Sequence, residues 1–346
     1  MENKEMVLVT GGNGFLAMHI ILQLLKRNFK VRASLRSLKS KEKVLETLKA
    51  NGINSFENLS FVESELLSDQ NWKEAMQDCK YVLSVASPVF LDKPKDETEA
   101  IRPAVEGIQR ILRFAKDANV KRVVMTSNFG AVGFSQTDKS RDTTEADWTD
   151  TNINGLSVYE KSKTLAEKAA WEFIKRDGNG LEFATINPVA ILGPSLNEHV
   201  TGSFNILLHM LDGSMKAIPN IPLNIVDVRD VADLHIKAME NASANGQRFI
   251  ATADGQISMQ EIAELIRNSK PMFASNVSTR KIPNLVLKLA SLFNEKAKEG
   301  YLLLRMNRKV SNKKAKNMLG WKPMSTQEDA ILASLESIIK FNLIKS

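Results

Sequence analysis

Val9-Thr10-Gly11-Gly12-Asn13-Gly14-Phe15-Leu16-Ala17 decides how this chain is read. It joins an apolar run, Met6 to Val9, to a segment whose apolar residues recur at helical spacing, Phe15 to Arg27. A strand, a glycine turn and a helix in that order suit a dinucleotide phosphate. Glycines permit a tight turn and let backbone N–H groups approach a pyrophosphate, while the helix N-terminus adds its positive dipole end. Ala17 takes the position where a small side chain lets helix pack closely on strand. The turn is read as a nucleotide site contacted by Gly11, Asn13, Gly14, Phe15 and Leu16, the alternative being a purely structural turn.

Moving outward, the second strand, Lys30 to Leu35, ends Ala33-Ser34-Leu35-Arg36-Ser37, with no carboxylate. An NAD site commonly places Asp or Glu there for the ribose 2′-OH, whereas an Arg accommodates a 2′-phosphate. Arg36, with Arg32, Lys39, Lys41 and Lys43 near it, argues for NADP, since a guanidinium grips phosphate with two hydrogen bonds. A solvated basic face is the alternative. The whole chain of 346 residues carries 47 Lys+Arg and 40 Asp+Glu, a net charge of +7. Residues 26–49 hold nine basic and two acidic side chains, so this one stretch matches the excess. With aromatic residues at only 6%, nucleic-acid binding is not expected.

The first half alternates short β-branched runs with amphipathic stretches, the pattern of a parallel sheet with crossover helices. Strands are predicted at Met6–Val9, Lys30–Leu35, Leu59–Val62, Tyr81–Val85, Arg122–Ser127 and Glu182–Asn187. Helices are predicted at Phe15–Arg27, Lys41–Ala50, Asn71–Gln77, Thr98–Asp117 and Tyr159–Arg176, and residues 255–346 read as mainly helical. No apolar run approaches the ~20 residues of a membrane span. The start, Met1 to Glu5, lacks the basic and apolar regions of a secretion signal. Cys79 stands alone and cannot form an internal disulfide, so a cytoplasmic location away from membranes is expected.

Tyr159 and Lys163 are four residues apart and share one helix face. A phenol titrates near ~10, and a nearby ammonium favours the phenolate, so such a pair can exchange protons with a carbonyl or alcohol. On spacing alone such a Tyr and Lys are more often just a surface pair.

Val9 to Leu16, Val85-Ala86-Ser87-Pro88, Tyr159 to Glu167 (YEKSKTLAE), Asn187-Pro188, Val226 to Ala232 and Leu319-Gly320-Trp321-Lys322-Pro323 occur together and in order. With these motifs the chain resembles the extended short-chain dehydrogenase/reductase superfamily, in the branch of dihydroflavonol, cinnamoyl-CoA and aldehyde or ketone reductases. The resemblance spans residues 6 to about 335. It implies that Tyr159 is the catalytic acid/base and that Lys163 lowers its pKa and holds the nicotinamide ribose. It also implies that Arg36 and Lys43 bind the 2′-phosphate and that Glu65 and Leu66 lie beside the adenine. Val85, Ala86 and Ser87 would line the cofactor channel, with Pro188, Ile191 and Ser203 near the nicotinamide.

Two positions depart from the family. Its catalytic Ser or Thr falls, by count, on Asn128 and not on the adjacent Ser127. An amide N–H₂ polarises a carbonyl but cannot relay a proton as a hydroxyl does, so Asn128 is favoured as the group facing substrate, with Ser127 kept as the alternative. Gly133 stands where plant flavonoid reductases have an Asn, which leaves a flavonoid-specific role unsupported.

His19, His199, His209 and His235 are scattered without partners at metal-ligand spacing, so no metal is expected. Asp230 is read as the cap of a helix starting at Val231. The cluster Arg305, Arg308, Lys309, Lys313, Lys314 and Lys316 is read as a solvated helix face, and Met210 and Met215 as pocket lining or core. The fold expected is α/β, a doubly wound Rossmann sheet of residues 1–193 and 214–252, with a smaller, mainly helical substrate-capping lobe of 194–213 and 253–335. The activity expected is NADPH-dependent reduction of a small-molecule aldehyde or ketone. A nucleotide-sugar epimerase or dehydratase and a non-catalytic NADP-sensing protein are the alternatives, and the oligomeric state stays open between monomer and homodimer.

Overall fold

The apolar runs of the first half are β-branched and continuous, which suits strands covered on both faces. In the computed structural model, which describes residues 5–88 and 96–344, they form β1 (Met6–Val9), β2 (Lys30–Leu35), β3 (Leu59–Glu63), β4 (Cys79–Ser84), β5 (Arg122–Thr126) and β6 (Glu182–Pro188). Residues 1–4, most of the start bearing on a secretion signal, lie outside the described residues. A further strand, β7 (Gln247–Ala251), pairs with β6, Phe249 opposite Ile186. All seven are parallel, in the order β7-β6-β5-β4-β1-β2-β3. This is the doubly wound Rossmann sheet. Every residue of β5 is buried, as a central strand requires.

The crossover helices are α1 (Phe15–Lys26), α2 (Lys41–Ala50), α3 (Trp72–Met76), α4 (Glu97–Asp117) and α5 (Val158–Asp177). Ten of the twelve residues of α1 are buried, because it lies between the sheet and the helix Val228–Glu240, where Gln23 Nε2 donates to Arg229 O at 2.8 Å. Ile20, Ile21 and Leu24 are fully enclosed there, each stabilising the fold by roughly 1.5–3 kcal/mol. Asp96 caps α4 by accepting from Thr98 N and Glu99 N. Ser157 caps α5 by accepting from Glu160 N, which fixes where Tyr159 enters the helix.

Beyond Leu192 the chain leaves the sheet. Within 214–252, Ile218–Pro219 pairs with Lys281–Ile282 and Pro222–Leu223 pairs with Ile257–Ser258. Ile225–Asp227 then lies parallel to Ala190–Leu192 before β7 closes the sheet edge. Residues 259–340 are mainly helical.

Two local readings change, the helix start and Arg308, and one left open is decided. The helix expected at Val231 begins at Val228, capped by Asp227, whose side chain accepts from Arg229 N at 2.8 Å. Asp230 therefore sits inside the helix, where its carboxylate accepts from Met324 N and Ser325 N and its backbone carbonyl accepts from Trp321 Nε1. Arg308 is not on a solvated face. It is buried, its Nη2 donates to Leu303 O at 3.4 Å, and burial pushes its pKa down to about 10. Met210 belongs to the core, with Met215 packed against it.

Candidate active site

Strand order reverses between β1 and β4, and an open parallel sheet has its ligand crevice outside the strand ends at that point. β1 runs into the glycine turn and β4 into Val85–Pro88. Thr10 Oγ1 accepts from the backbone N–H groups of both Val85 and Ala86 at 2.9 Å, so one hydroxyl ties the two walls together. Gly11 has φ +67°, and a Cβ on it would meet Ala86 at 3.2 Å. A Cβ on Gly12 would come within 2.8 Å of Ala33 Cβ, because the turn lies on β2. Gly14 caps α1 with no side-chain hydrogen bond, and the first turn has no acidic residue, leaving the positive helix end to an anion. Phe15 and Leu16 are buried, Phe15 packing edge-on against Phe204, so what they offer a phosphate is backbone N–H.

The basic stretch divides by role. Arg27 pairs with Asp233, Lys43 pairs with Glu198, and the Arg32 guanidinium donates to the carbonyls of Glu74, Ala75 and Gln77 at the end of α3. Arg36 is exposed and makes no ion pair or hydrogen bond among the described residues. It is thus a free guanidinium just past the end of β2. Glu65 is exposed and its carbonyl accepts from Trp72 Nε1, while Leu66 packs on Gly107. Leu66, Ala86, Ser87, Thr126 and Lys163 line one recess. Pro188 closes β6, Ile191 lies in the short strand after it, and Ser203 occupies a single turn at 202–204.

Tyr159 is in the first turn of α5. The residue is 38% exposed, but its hydroxyl end is desolvated beside Asn128. Burial, reinforced by the Glu160 carboxylate, pushes the phenol up to about 12, and a hydrogen bond from Asn128 opposes this. The expected lowering by Lys163 is not found: burial sets the direction of the shift and Asn128 alone opposes it. The hydroxyl is therefore protonated at neutral pH. Lys163 is buried, donates from Nζ to Thr126 O at 3.3 Å, and is pushed down to about 8 by burial, with Glu167 acting against the shift. Burial and the charge of Glu299 push Glu160 up to about 7.

Ser127 and Asn128 point to different surroundings. Ser127 Oγ is buried and donates to Glu167 Oε2 at 2.6 Å, whereas the Asn128 side chain lies by the Tyr159 hydroxyl. Asn128 Oδ1 is buried with no hydrogen-bond partner among the described residues. Gly133 has no room for a side chain, since a Cβ would fall 2.3 Å from Phe129 Cζ. The glycine cradle, uncapped helix end, free Arg36 and recess at Lys163 fit a phosphorylated dinucleotide. No group of three or more His, Cys, Asp or Glu side chains among the described residues is placed to hold a metal ion.

Sequence reasoning missed Glu167, which accepts from Ser127, Thr185, Asn187 and Arg248. The signal was available: Glu167 continues the four-residue spacing of Tyr159 and Lys163 along α5. Arg248 gave no such signal, because β7 was not recognised as a strand of the sheet.

A site built this way defines an extended short-chain dehydrogenase/reductase, an oxidoreductase class. Residues 8–259 match the 3-beta hydroxysteroid dehydrogenase/isomerase family, and the chain belongs to it. It is 34% identical over 272 residues to cinnamoyl-CoA reductase CAD2 of Medicago truncatula, covering 77% of this chain and 81% of that protein. It is 31% identical over 356 residues to the NADPH-dependent methylglyoxal reductase GRE2 of Saccharomyces cerevisiae, covering 97% and 98%. The solved structure of yeast methylglyoxal/isovaleraldehyde reductase Gre2 complexed with NADPH superposes with a TM-score of 0.79 at 29% identity, over 98% of this chain and all of that one.

Proposed function

We propose that this protein reduces an aldehyde or ketone to the alcohol using NADPH. The observation that carries this reading is the protonated Tyr159 hydroxyl beside the Asn128 amide, one helical turn from buried Lys163. NADPH, when bound, supplies the hydride. Arg36 holds the 2′-phosphate, the turn at Gly11, Asn13, Gly14, Phe15 and Leu16 holds the pyrophosphate, and Lys163 holds the nicotinamide ribose. Glu65 and Leu66 flank the adenine, Val85, Ala86 and Ser87 line the channel, and Pro188, Ile191 and Ser203 border the nicotinamide. Lys43, already paired with Glu198, is a secondary phosphate contact. Asn128 donates to the carbonyl oxygen and so draws electron density from the carbon. Tyr159 gives its proton to that oxygen as negative charge develops on it. Ser127 acts through Glu167 and not on the substrate.

The named activities of the cinnamoyl-CoA and methylglyoxal reductases support carbonyl reduction. The lack of a carboxylate at the end of β2 speaks against an NAD-type epimerase, and an intact Tyr159 and Lys163 against a non-catalytic sensor. The capping lobe is assigned to 194–224 and 253–335, because residues 218–223 pair with its strands, and the nucleotide half to 1–193 and 225–252. A cytoplasmic location is supported by the lone, buried Cys79. Partners are small carbonyl compounds, with neither nucleic acid nor membrane. Among the described residues no helix is long and apolar enough to cross a membrane.

The test is consumption of NADPH and of NADH against a panel of aldehydes, 2-oxo esters and diketones, with wild type and Tyr159→Phe. Turnover with NADPH that collapses in Tyr159→Phe is expected. Tight NADPH binding with no turnover of any carbonyl would instead favour the sensor.

A further inference from the structure

Glu167 is fully buried and collects donors from four places. Ser127 Oγ donates to it at 2.6 Å, Asn187 Nδ2 at 2.7 Å, Arg248 Nε at 2.7 Å and Thr185 Oγ1 at 2.9 Å. Trp171 Nε1 adds a longer contact at 3.3 Å from its own helix. The carboxylate therefore joins α5 to the end of β5, to β6 and to β7. Its position on α5 matters as much as its partners. Lys163, one turn earlier on the same face, grips the carbonyl of Thr126, while Glu167 grips the hydroxyl of Ser127. Two consecutive residues at the end of β5 are thus held by two side chains of the catalytic helix, and Asn128 is the next residue out.

We propose that Glu167 is a positioning residue that keeps Lys163 charged and fixes the end of β5 so that Asn128, not Ser127, meets the substrate. The inference rests on the reductase reading. A buried carboxylate favours the cationic form of a lysine on its own helix face, and its attraction here works against the burial of Lys163. Arg248, from β7, opposes that influence by neutralising Glu167. Arg248 is itself fixed by donating to the carbonyls of Glu145 and Asp147 and by stacking on Trp148, its guanidinium carbon 3.7 Å from the ring centre. Among the described residues, the titratable groups facing this cluster include Glu145 and Lys314 behind Arg248, Lys168, whose Nζ lies 5.7 Å from the centre of the same Trp148 ring, and His235, which meets Thr126 Oγ1 at 2.7 Å. A solely structural salt bridge would have no effect on when Lys163 loses its proton.

The experiment follows NADPH binding by fluorescence titration from pH 5.5 to 9.5, without substrate, alongside the pH profile of kcat/KM. Wild-type binding should weaken as pH rises through about 8. In Glu167→Gln that weakening should begin about one pH unit lower, so that affinity lost at pH 7.5 is largely recovered at pH 6. Glu167→Asp, which keeps the charge, should leave the midpoint in place. Arg248→Gln should move the midpoint upward, an opposite shift that keeps the idea testable if Glu167→Gln does not fold. Midpoints equal to wild type in both Glu167→Gln and Arg248→Gln, or a loss uniform across pH, would overturn the proposal. Wild type binding no NADPH at any pH would overturn the reductase reading first, and this inference with it.

Discussion

Replacing Ser127 and Asn128 by alanine one at a time should separate two adjacent residues by two different readouts. Ser127 Oγ lies 2.6 Å from Glu167 Oε2, in a buried, charge-assisted hydrogen bond. Removing such a bond costs roughly 1.5–3 kcal/mol. The carboxylate keeps Thr185, Asn187 and Arg248, so the lower end of that range is expected. Ser127→Ala should therefore show a lower urea midpoint at unchanged slope, with kcat within about threefold of wild type. Asn128 has one buried oxygen without a partner and an amide beside Tyr159. Its loss removes a donor to the developing oxyanion, which typically lowers kcat by about 10²–10³. Asn128→Ala should fold at near-wild-type stability and turn over that much more slowly. Both assays are simple: NADPH oxidation by absorbance and urea unfolding by intrinsic fluorescence. If Ser127→Ala abolished turnover while Asn128→Ala retained it, the assignment of the substrate-facing donor would be wrong.

Arg36→Ala should raise the KM for NADPH about 10- to 100-fold, the weight of a lost charged hydrogen bond, and leave NADH unaffected; equal effects on both cofactors would remove Arg36 from the 2′-phosphate site. Gly12→Ala should lose about 1–3 kcal/mol of unfolding free energy, because the added Cβ falls 2.8 Å from Ala33 Cβ, and an unchanged urea midpoint would contradict the packing of the turn on β2. His235 donates from Nδ1 to Val231 O, so Nε2 must accept from Thr126, and the buried neutral ring has its pKa pushed from 6.5 down to about 4. A depressed folded-state pKa gives stability that is complete above pH 6.5 and lost as pH falls toward 4. Between pH 7 and 5 wild type should therefore lose about 2 kcal/mol relative to a non-titrating His235→Gln variant, and parallel pH curves in urea unfolding would refute the assignment.

Much of the nucleotide half was legible because its signals are local. The continuous run Lys30–Leu35 and the turn after Val9 carry their reading within a few residues, and β2 and α2 fall at the expected bounds. β7 was missed because nothing in Gln247–Ala251 distinguishes a sheet edge from a loop of the lobe until its partner, β6, is known. The start of the helix at Val228 was misjudged because Asp227 and Asp230 are both good caps, and only the tertiary demand of Met324 and Ser325 for an acceptor decides between them. The basic stretch 26–49 shows the same limit. Its net charge was visible, but Arg27, Arg32 and Lys43 have distant partners that no spacing rule reveals, so Arg36 emerges as the free guanidinium only in three dimensions. The Tyr159–Lys163 spacing was equally plain, whereas the protonation it produces depends on burial.

The anchor at Asp230 bears on how such a reductase can change. Its carboxylate and carbonyl hold Trp321, Met324 and Ser325 against a helix of the nucleotide half, and β7 holds the other end of the excursion at Ala251. The roughly seventy residues between form helices and short strands of their own, joined by short connections. Lengthening one of those connections costs little, about 0.6 kcal/mol for each doubling. Changes of length there can therefore be absorbed without loosening either the anchor at Asp230 or the strand pairing that ends at Ala251.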